Sequence, residues 1–399
     1  MQKVEETITS DSSKVAASAE LVKKDKPNLR KKGSPQKKDL PDSSPCVEPS
    51  SPKRKVEENV ACDTSRIAAL GKSPQGKRAR RSAVEPLPEN EILTDINAKS
   101  WQLLKLVAND ENGVLYEARG TSGATAKEQY LLKLDTKEGR IFNEQNFFLR
   151  AVKPKTVQMW QKSHGVNFLG IPPCIGFGLH AEKYRFLVFP DYGNSLQSFL
   201  DASKKLLSEK AVFQITYRLI SVLEYIHDNE YVHGDIKAEN LFATTTDLTK
   251  IYLTGYGHAF RYYPSGKHVE YREGSRTLHE GTVEFTSLDS HKGVGPSCRS
   301  DLESLGYCMV KWLTGSLPWS SMLEKPKDVT ALKQKCKEDP TSFLKQCFGK
   351  KKIPDALITY FQHVASLRYE EKPNYEQLKT TLQNALKKLK TTVDDPVDL

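Results

Sequence analysis

Two hydrophobic patterns along residues 87–390 predict two kinds of element. Short apolar runs, typical of strands, come first. They are Trp101–Val107, Gly113–Ala118, Gln129–Leu134, Cys174–Leu179 and Tyr184–Phe189. Apolar residues three and four positions apart, typical of helices, dominate the later part of the chain. They fall in Ile141–Val152, Leu196–Asp201, Ala211–Asn229, Leu302–Thr314, Asp355–Ser366 and Tyr375–Leu389. Strands followed by helices predict an α+β, bilobal fold with a small β-rich lobe and a larger α-helical lobe.

The beginning of the chain differs in composition from the rest. Residues 1–100 contain no Phe, Tyr or Trp, and such a segment buries too little apolar surface to offset its ordering entropy. Residues 1–86 hold 19 Lys and Arg against 12 Asp and Glu, so most of the formal net charge of +10 lies there. We therefore predict a disordered basic arm over 1–86, a folded domain over 87–390 and a short acidic tail over 391–399.

The predicted arm carries signals that are typical of nuclear proteins. Its Ser-Pro sites, which proline-directed kinases accept, are Ser34, Ser51 and Ser73. The basic runs 53–55 and 77–81 are typical of nuclear import signals. We expect a nuclear location and an import receptor as one partner. A weak nucleic-acid contact through residues 23–81 and a purely solubilising role are the alternatives.

Cysteine usage and hydropathy exclude several other classes. The chain has seven cysteines, an odd number, and no Cys-x-x-Cys pair, which argues against a disulfide framework or a zinc ribbon. The first residues contain no apolar signal core, and no run of about eighteen apolar residues occurs. We therefore expect no membrane partner.

The strongest chemical motif is residues 231–240, which read YVHGDIKAEN. This string resembles the catalytic loop of protein kinases, His-Arg-Asp-x-Lys-x-x-Asn. In that role Asp235 accepts the proton of a substrate hydroxyl, and Lys237 neutralises the transferring phosphoryl group. Asn240, five residues after the aspartate, holds a Mg²⁺ ion.

Two further strings narrow the resemblance to one family. Residues 279–287 and 296–307 read HEGTVEFTS and PSCRSDLESLGY. They are similar to the vaccinia-related kinase family of the casein kinase one group, and the likeness extends over about residues 90–385. The Ser-Pro-Gln-Lys style of the arm is similar to the third paralogue, the pseudokinase of that family. The resemblance implies that Lys133 is the nucleotide-binding lysine, that Glu144 is its partner, and that Asp301 ties down the catalytic loop.

The sequence departs from this family pattern where active members bind metal and phosphate. Active relatives carry an aspartate at the position of Gly255, and glycine has no side chain to coordinate a metal. The phosphate-binding loop retains only its third glycine, Gly113, and has Ala108 in place of the first. Asp110 and Glu111 lie at its tip. A close pair of like charges costs about 4 kcal/mol at an intermediate dielectric, so these carboxylates should weaken nucleotide binding.

Bulky residues are predicted at the adenine position as well. Spacing from the motifs places Leu131 above the base, Phe242 below it and Phe189 at the back of the pocket. These side chains could fill the slot in place of ATP. Ordinary core packing explains each of them equally well.

The sequence therefore predicts a nuclear pseudokinase that acts as a scaffold or regulator and needs no cofactor. The family resemblance implies a partner, a dual-specificity phosphatase that acts on MAP kinases and that the pseudokinase would activate, dampening the ERK signal. One alternative is a weak serine/threonine kinase that uses ATP and Mg²⁺, because Asp235, Lys237 and Asn240 are all present. Another is a chromatin-associated protein that binds through the arm.

Overall fold

A computed structural model describes residues 84–110 and 113–399. The predictions made for the arm up to residue 83, including its phosphorylation sites and import signals, lie outside the described residues, as does Glu111. Among the residues described, no helix has both the length and the apolar character needed to cross a bilayer.

The N-terminal lobe is built on a six-stranded antiparallel sheet with the strand order β1-β2-β3-β4-β6-β5. Its strands are β1 (Ile92–Thr94), β2 (Ser100–Asp110), β3 (Gly113–Gly120), β4 (Tyr130–Thr136), β5 (Gly176–His180) and β6 (Tyr184–Pro190). Alternation along β4 sends Tyr130, Leu132 and Leu134 into the core of this lobe. Leu131 and Lys133 consequently face the opposite side, toward the second lobe.

Two helices follow β4 before the sheet resumes. Helix α1 (Arg140–Ala151) buries residues at helical spacing, including Ile141 and Phe148, which pins it against the sheet. Helix α2 (Pro154–His164) begins at a proline, which suits the first helical position, and ends at Gly165 in the left-handed conformation. The sequence predicts α1 but not α2.

The C-terminal lobe is mainly helical and surrounds one central helix. Its helices are α3 (Leu196–Ser203), α4 (Glu209–Asp228), α5 (Leu288–His291), α6 (Cys298–Thr314), α7 (Pro326–Glu338), α8 (Pro340–Phe348), α9 (Asp355–Ser366) and α10 (Tyr375–Lys388). Helix α4 is buried on nearly every side, as expected of a helix in the middle of a core. The predicted α+β, bilobal protein-kinase fold is thus confirmed.

Short strands in the C-terminal lobe carry the chain past the cleft between the lobes. They are β7 (Asn194–Ser195), β8 (Tyr231–Val232), β9 (Leu241–Thr244), β10 (Asp247–Leu253) and β11 (Phe260–Arg261). Strand β9 pairs with both β10 and β7, and β8 pairs with β11. The catalytic loop therefore lies between two small sheets that fix both of its ends.

The last residues of the chain pack on the helical lobe. Gln214 of α4 donates hydrogen bonds to the carbonyl oxygens of Thr392 and Asp395 at 2.8 and 3.1 Å. Val397 is 1% exposed, and its N–H donates to the carbonyl of Leu248 at 3.1 Å. The predicted acidic tail over 391–399 is thus held by an apolar contact and by backbone hydrogen bonds.

Candidate functional site

A cleft of about 330 Å³ lies between the sheet and the helical lobe. Its lining includes most of the residues that the sequence assigns to nucleotide and metal binding. They are Ala108, Asp110, Gly113, Lys133, Glu144, Asn240 and Gly255. The fold therefore brings together side chains that are far apart in the sequence.

The predicted ion pair between Lys133 and Glu144 is present. Lys133 projects from β4 toward the cleft, and its Nζ lies 2.7 Å from Oε2 of Glu144 on α1. The Glu144 side chain is 3% exposed. A buried pair of this kind fixes the position of α1 against the sheet, whether or not a nucleotide binds.

Asp301, near the start of α6, anchors the catalytic loop through hydrogen bonds to the loop backbone. Its two carboxylate oxygens accept hydrogen bonds from the backbone N–H of His233 at 2.7 Å and of Gly234 at 2.9 Å. Its Oδ2 also lies 2.9 Å from Nε2 of the buried His227. This geometry matches the role that the family resemblance implies for Asp301.

Asp235 is buried and accepts hydrogen bonds from several directions. The Thr282 hydroxyl donates to its Oδ1 at 2.8 Å, and Nδ2 of Asn240 lies 3.2 Å from its Oδ2. Nζ of Lys237 is 3.1 Å from Oδ2. Burial raises the pKa of Asp235, but Lys237, His258 and the Thr282 hydrogen bond outweigh it and hold the pKa at about 2. The carboxylate is therefore ionised and oriented.

Thr282 is a site residue that the sequence analysis does not single out. Besides donating to Asp235, its hydroxyl accepts a hydrogen bond from Nζ of Lys237 at 2.9 Å. It follows Gly281, whose φ of +98° lets the backbone N–H of Thr282 approach Asp235 as well. The glycine before a threonine in the 279–287 string is the signal that could have identified it.

Gly255 lies at the position where the family resemblance implies a metal-binding carboxylate. It adopts the left-handed conformation, with φ of +79°. A Cβ atom added there would lie 2.5 Å from Oδ1 of Asn240, so any side chain would require Asn240 to move. Asn240 also donates to the carbonyl oxygen of Asp235 at 2.7 Å. The positions that the resemblance assigns to the metal thus offer one amide side chain and no carboxylate.

Bulky side chains line the adenine end of the cleft without closing it. Leu131 and Phe189 are buried, and the half-buried Phe242 packs edge-on against Tyr192 at 4.9 Å between ring centroids. All of them border the cavity. Its volume lies within the range of about 300–1,000 Å³ that is typical of small-molecule sites. These side chains narrow the adenine end of the cavity, and the expectation that they take the place of ATP stays a prediction.

Carboxylates concentrate at the phosphate end of the cleft. Asp110 and the exposed Glu239 both border the cavity. Among the residues that the structure describes, no group of three or more His, Cys, Asp and Glu side chains is arranged to hold a metal ion. The cleft therefore combines an apolar end with an acidic end.

The fold and the catalytic loop define a protein of the protein-kinase class. The family model "Protein kinase domain" matches residues 127–382. The chain is 49% identical to serine/threonine-protein kinase VRK3 of Homo sapiens over 324 residues, which is 80% of this chain and 68% of that protein. It is 40% identical to serine/threonine-protein kinase VRK2 of Homo sapiens, over 74% of this chain and 59% of that protein.

A solved structure agrees with these sequence matches. The solved structure of vaccinia related kinase 3 superposes on this chain with a TM-score of 0.75 at 49% sequence identity. The match covers 79% of this chain and 96% of the chain in that structure. The chain belongs to the vaccinia-related kinase family. The resemblance inferred from the motifs is confirmed.

Proposed function

We propose that this protein is a catalytically inactive member of the vaccinia-related kinase family that acts by binding other proteins. The observation that carries the proposal is Gly255. A carboxylate is absent where active relatives hold Mg²⁺, and a side chain there would collide with Asn240. A hard cation such as Mg²⁺ is bound through carboxylate oxygens, which an amide alone does not replace.

Charge at the mouth of the cleft supports the same proposal. Asp110 and Glu239 border the region where the phosphates of ATP would lie. Two like charges near each other at an effective dielectric near 20 repel by about 4 kcal/mol. A triphosphate without a bound cation would meet this repulsion.

A melting experiment tests the proposal directly. The full chain is heated with and without ATP and Mg²⁺, and an active vaccinia-related kinase serves as the positive control. A ligand at about 100 times its Kd stabilises a protein by about 2.7 kcal/mol, so binding would appear as a rise of several degrees. We expect no Mg²⁺-dependent rise for this chain, and a rise like that of the active kinase would overturn the proposal.

The second candidate function is that of a weak serine/threonine kinase that uses ATP and Mg²⁺. It is favoured by the ordered arrangement of Asp235, Lys237 and Asn240 and by the open cleft. Transfer of radiolabelled phosphate to casein, abolished by Asp235→Asn, would establish it. Absence of transfer under conditions in which the active relative phosphorylates casein would exclude it.

We propose further that the protein acts in the nucleus and raises the activity of a dual-specificity phosphatase toward MAP kinases. The support is the family resemblance for the phosphatase, and the basic runs 53–55 and 77–81 for nuclear import. The rate at which purified phosphatase dephosphorylates ERK is measured with and without the full chain. An unchanged rate would contradict the phosphatase role.

Deletion of residues 1–86 separates the two activities that the arm could have. We expect the deletion to abolish nuclear accumulation through loss of contact with an import receptor. If residues 23–81 also bind nucleic acid, DNA affinity of the full chain should fall steeply with salt. DNA affinity that the deletion leaves unchanged would exclude the chromatin-binding alternative.

A further inference from the structure

The outer face of α1 exposes apolar side chains next to the edge of the sheet. Phe142 and Leu149 are 44% and 45% exposed, although both are large and apolar. They lie seven positions apart and therefore on the same side of the helix, with Gln145 between them. On neighbouring β5, Phe177 and the 40% exposed Leu179 face the same way. We call this surface the α1–β5 groove.

A small cavity lies within this groove. It measures about 180 Å³ and is bordered by Gln145, Leu149, Val152, Cys174 and Phe177. Small-molecule sites typically enclose about 300–1,000 Å³, so the cavity is small for a cofactor or metabolite. Its size suits a single large side chain, as in interfaces where one aromatic anchor fills a pocket on the partner.

Residues 145–181, which include one wall of the groove, are basic, and the acidic residues that flank them lie near cations, Glu182 3.4 Å from Lys137 and Glu138 close to Arg185. Residues 145–181 contain no Asp or Glu, and their Lys and Arg side chains are Arg150, Lys153, Lys155 and Lys162. All four are exposed, and none of them forms an ion pair with another residue that the structure describes. Lys153 borders the cavity itself. An acidic partner would therefore be attracted to the groove and oriented there.

The groove is held in place by contacts beneath it. Nη1 of Arg185 on β6 donates to Oε1 of Gln145 at 2.5 Å, and the guanidinium lies 4.8 Å from the centre of the Phe142 ring. These contacts join α1 to the sheet, so the groove exists before a partner arrives. Preformed surfaces bind with a smaller loss of side-chain entropy.

We propose that the α1–β5 groove is a docking site for an acidic protein segment that inserts one large apolar side chain into the 180 Å³ cavity. Phe148 borders both this cavity and the cleft between the lobes. A docked partner therefore contacts the ring that also closes the cleft, on the helix that carries Glu144. The proposal identifies a binding surface for the scaffold role but is independent of whether the cleft binds nucleotide.

Fluorescence anisotropy with a short labelled peptide tests the proposal on the full chain. The peptide carries one phenylalanine among glutamates, and its matched control has serine in place of the phenylalanine. We expect the phenylalanine peptide to bind and the serine peptide to bind more weakly. Loss of an anchored apolar contact of about 1.4 kcal/mol corresponds to a tenfold weaker affinity.

Two substitutions in the groove and one elsewhere locate the binding. Leu149→Glu and Lys153→Glu should each weaken peptide binding about tenfold or more, since hot-spot contacts are worth at least this much. Leu206→Glu is the matched control, because Leu206 is 47% exposed on the helical lobe. Its affinity for the peptide should equal that of the wild type. The melting temperature of each variant shows whether it is folded.

Several outcomes would overturn the proposal. One is equal affinity of the wild type and Leu149→Glu for the peptide, and another is no binding to the wild type at all. A dimer of the full chain that Leu149→Glu dissociates in sedimentation would show that a second copy covers the groove. Binding of duplex DNA or anionic vesicles, lost in Lys153→Glu while the peptide does not bind, would assign the basic surface to a different ligand. The binding assay contains no nucleotide. A negative result in it therefore does not bear on the proposal that the protein is catalytically inactive.

Discussion

The catalytic loop, residues 231–240, and the segment after β10, residues 254–258, lie against each other. They differ in which functional side chains they carry. In the loop, Asp235, Lys237 and Asn240 keep both their side chains and their hydrogen bonds. The segment keeps its packing and its hydrogen bonds to the loop but contains no carboxylate. Nε2 of His233 lies 2.8 Å from the carbonyl oxygen of Thr254, and the Tyr256 ring packs edge-on against His233. The contacts that hold the architecture together are therefore present at the position where the family resemblance implies a metal-binding carboxylate and the chain has Gly255.

Removing the Asp301 carboxylate, which accepts hydrogen bonds from the catalytic loop, should cause the largest loss of stability. Asp301→Ala would leave the N–H groups of His233 and Gly234 and the imidazole of His227 without their buried acceptor. Breaking a buried, hydrogen-bonded charge pair costs about 3–5 kcal/mol. We expect a loss of unfolding free energy of this size in urea denaturation. Asp201→Ala, at an exposed position, is the control and should be nearly neutral; equal losses in both variants would contradict the role given to Asp301.

Neutralising the loop carboxylate should have an intermediate effect. Asp235→Asn keeps an oxygen that can accept from Thr282 but removes the charge that pairs with Lys237. Hydrogen bonds to charged groups contribute about 1.5–3 kcal/mol, so we expect the free energy of unfolding to fall by about 2 kcal/mol. Urea denaturation at neutral pH measures the loss.

The pH dependence of this loss follows from the pKa of Asp235. Folding lowers that pKa from 3.8 to about 2, so the folded state binds fewer protons than the unfolded state in this interval. The stability contributed by the carboxylate is present above pH 3.8 and is lost as the pH falls through about 2. The difference between wild type and Asp235→Asn should shrink over the same interval. A difference that is constant with pH would show that the charge does not stabilise the fold.

Placing a carboxylate at position 255 should lower the free energy of unfolding by a smaller amount. Gly255→Asp places a side chain at a φ of +79° and within reach of Asn240. A non-glycine residue in the left-handed region costs about 1–2 kcal/mol, and we expect the variant to lose about this much stability. Gly255→Ala is the matched control for the backbone cost. A Mg²⁺-dependent rise in melting temperature for Gly255→Asp alone would identify this position as the missing ligand, whereas a rise already present in the wild type would contradict its importance.

The sequence predicts the fold well where apolar periodicity is strong, and less well elsewhere. Helices α1, α4 and α10 lie within a few residues of their predicted bounds. Helix α7 is not predicted, because one of its buried positions is the lysine Lys333. Nζ of Lys333 is fully buried and donates to the carbonyl oxygens of Val283 and Thr286 at 2.8 and 2.6 Å. A charged residue at a core position hides the pattern on which helix prediction depends.

In the candidate site, the roles of individual residues can be predicted from the sequence, whereas the space between them cannot. The pair of Lys133 with Glu144 and the contacts of Asp301 are predicted, because the family resemblance assigns these roles to residues that the sequence retains. The volume of the cleft is not, since it depends on how Leu131 and Phe242 meet from different lobes. Residue types in a motif indicate which atoms are present, but only packing determines how much space remains between them.

The smallest loss of stability should come from removing the Thr282 hydroxyl, which bridges Asp235 and Lys237 of the catalytic loop. Thr282 donates to Asp235 and accepts from Lys237, so Thr282→Val removes both hydrogen bonds while keeping the shape of the side chain. Asp235 and Lys237 keep each other as partners in the variant, so we expect a loss of only about 1 kcal/mol in unfolding free energy, the net contribution of one typical hydrogen bond. Thr282→Ser, which keeps the hydroxyl, should restore most of it. If serine destabilises the chain and valine does not, the threonine acts through its methyl group, and Asp235 is oriented by Lys237, Asn240 and the backbone N–H of Thr282.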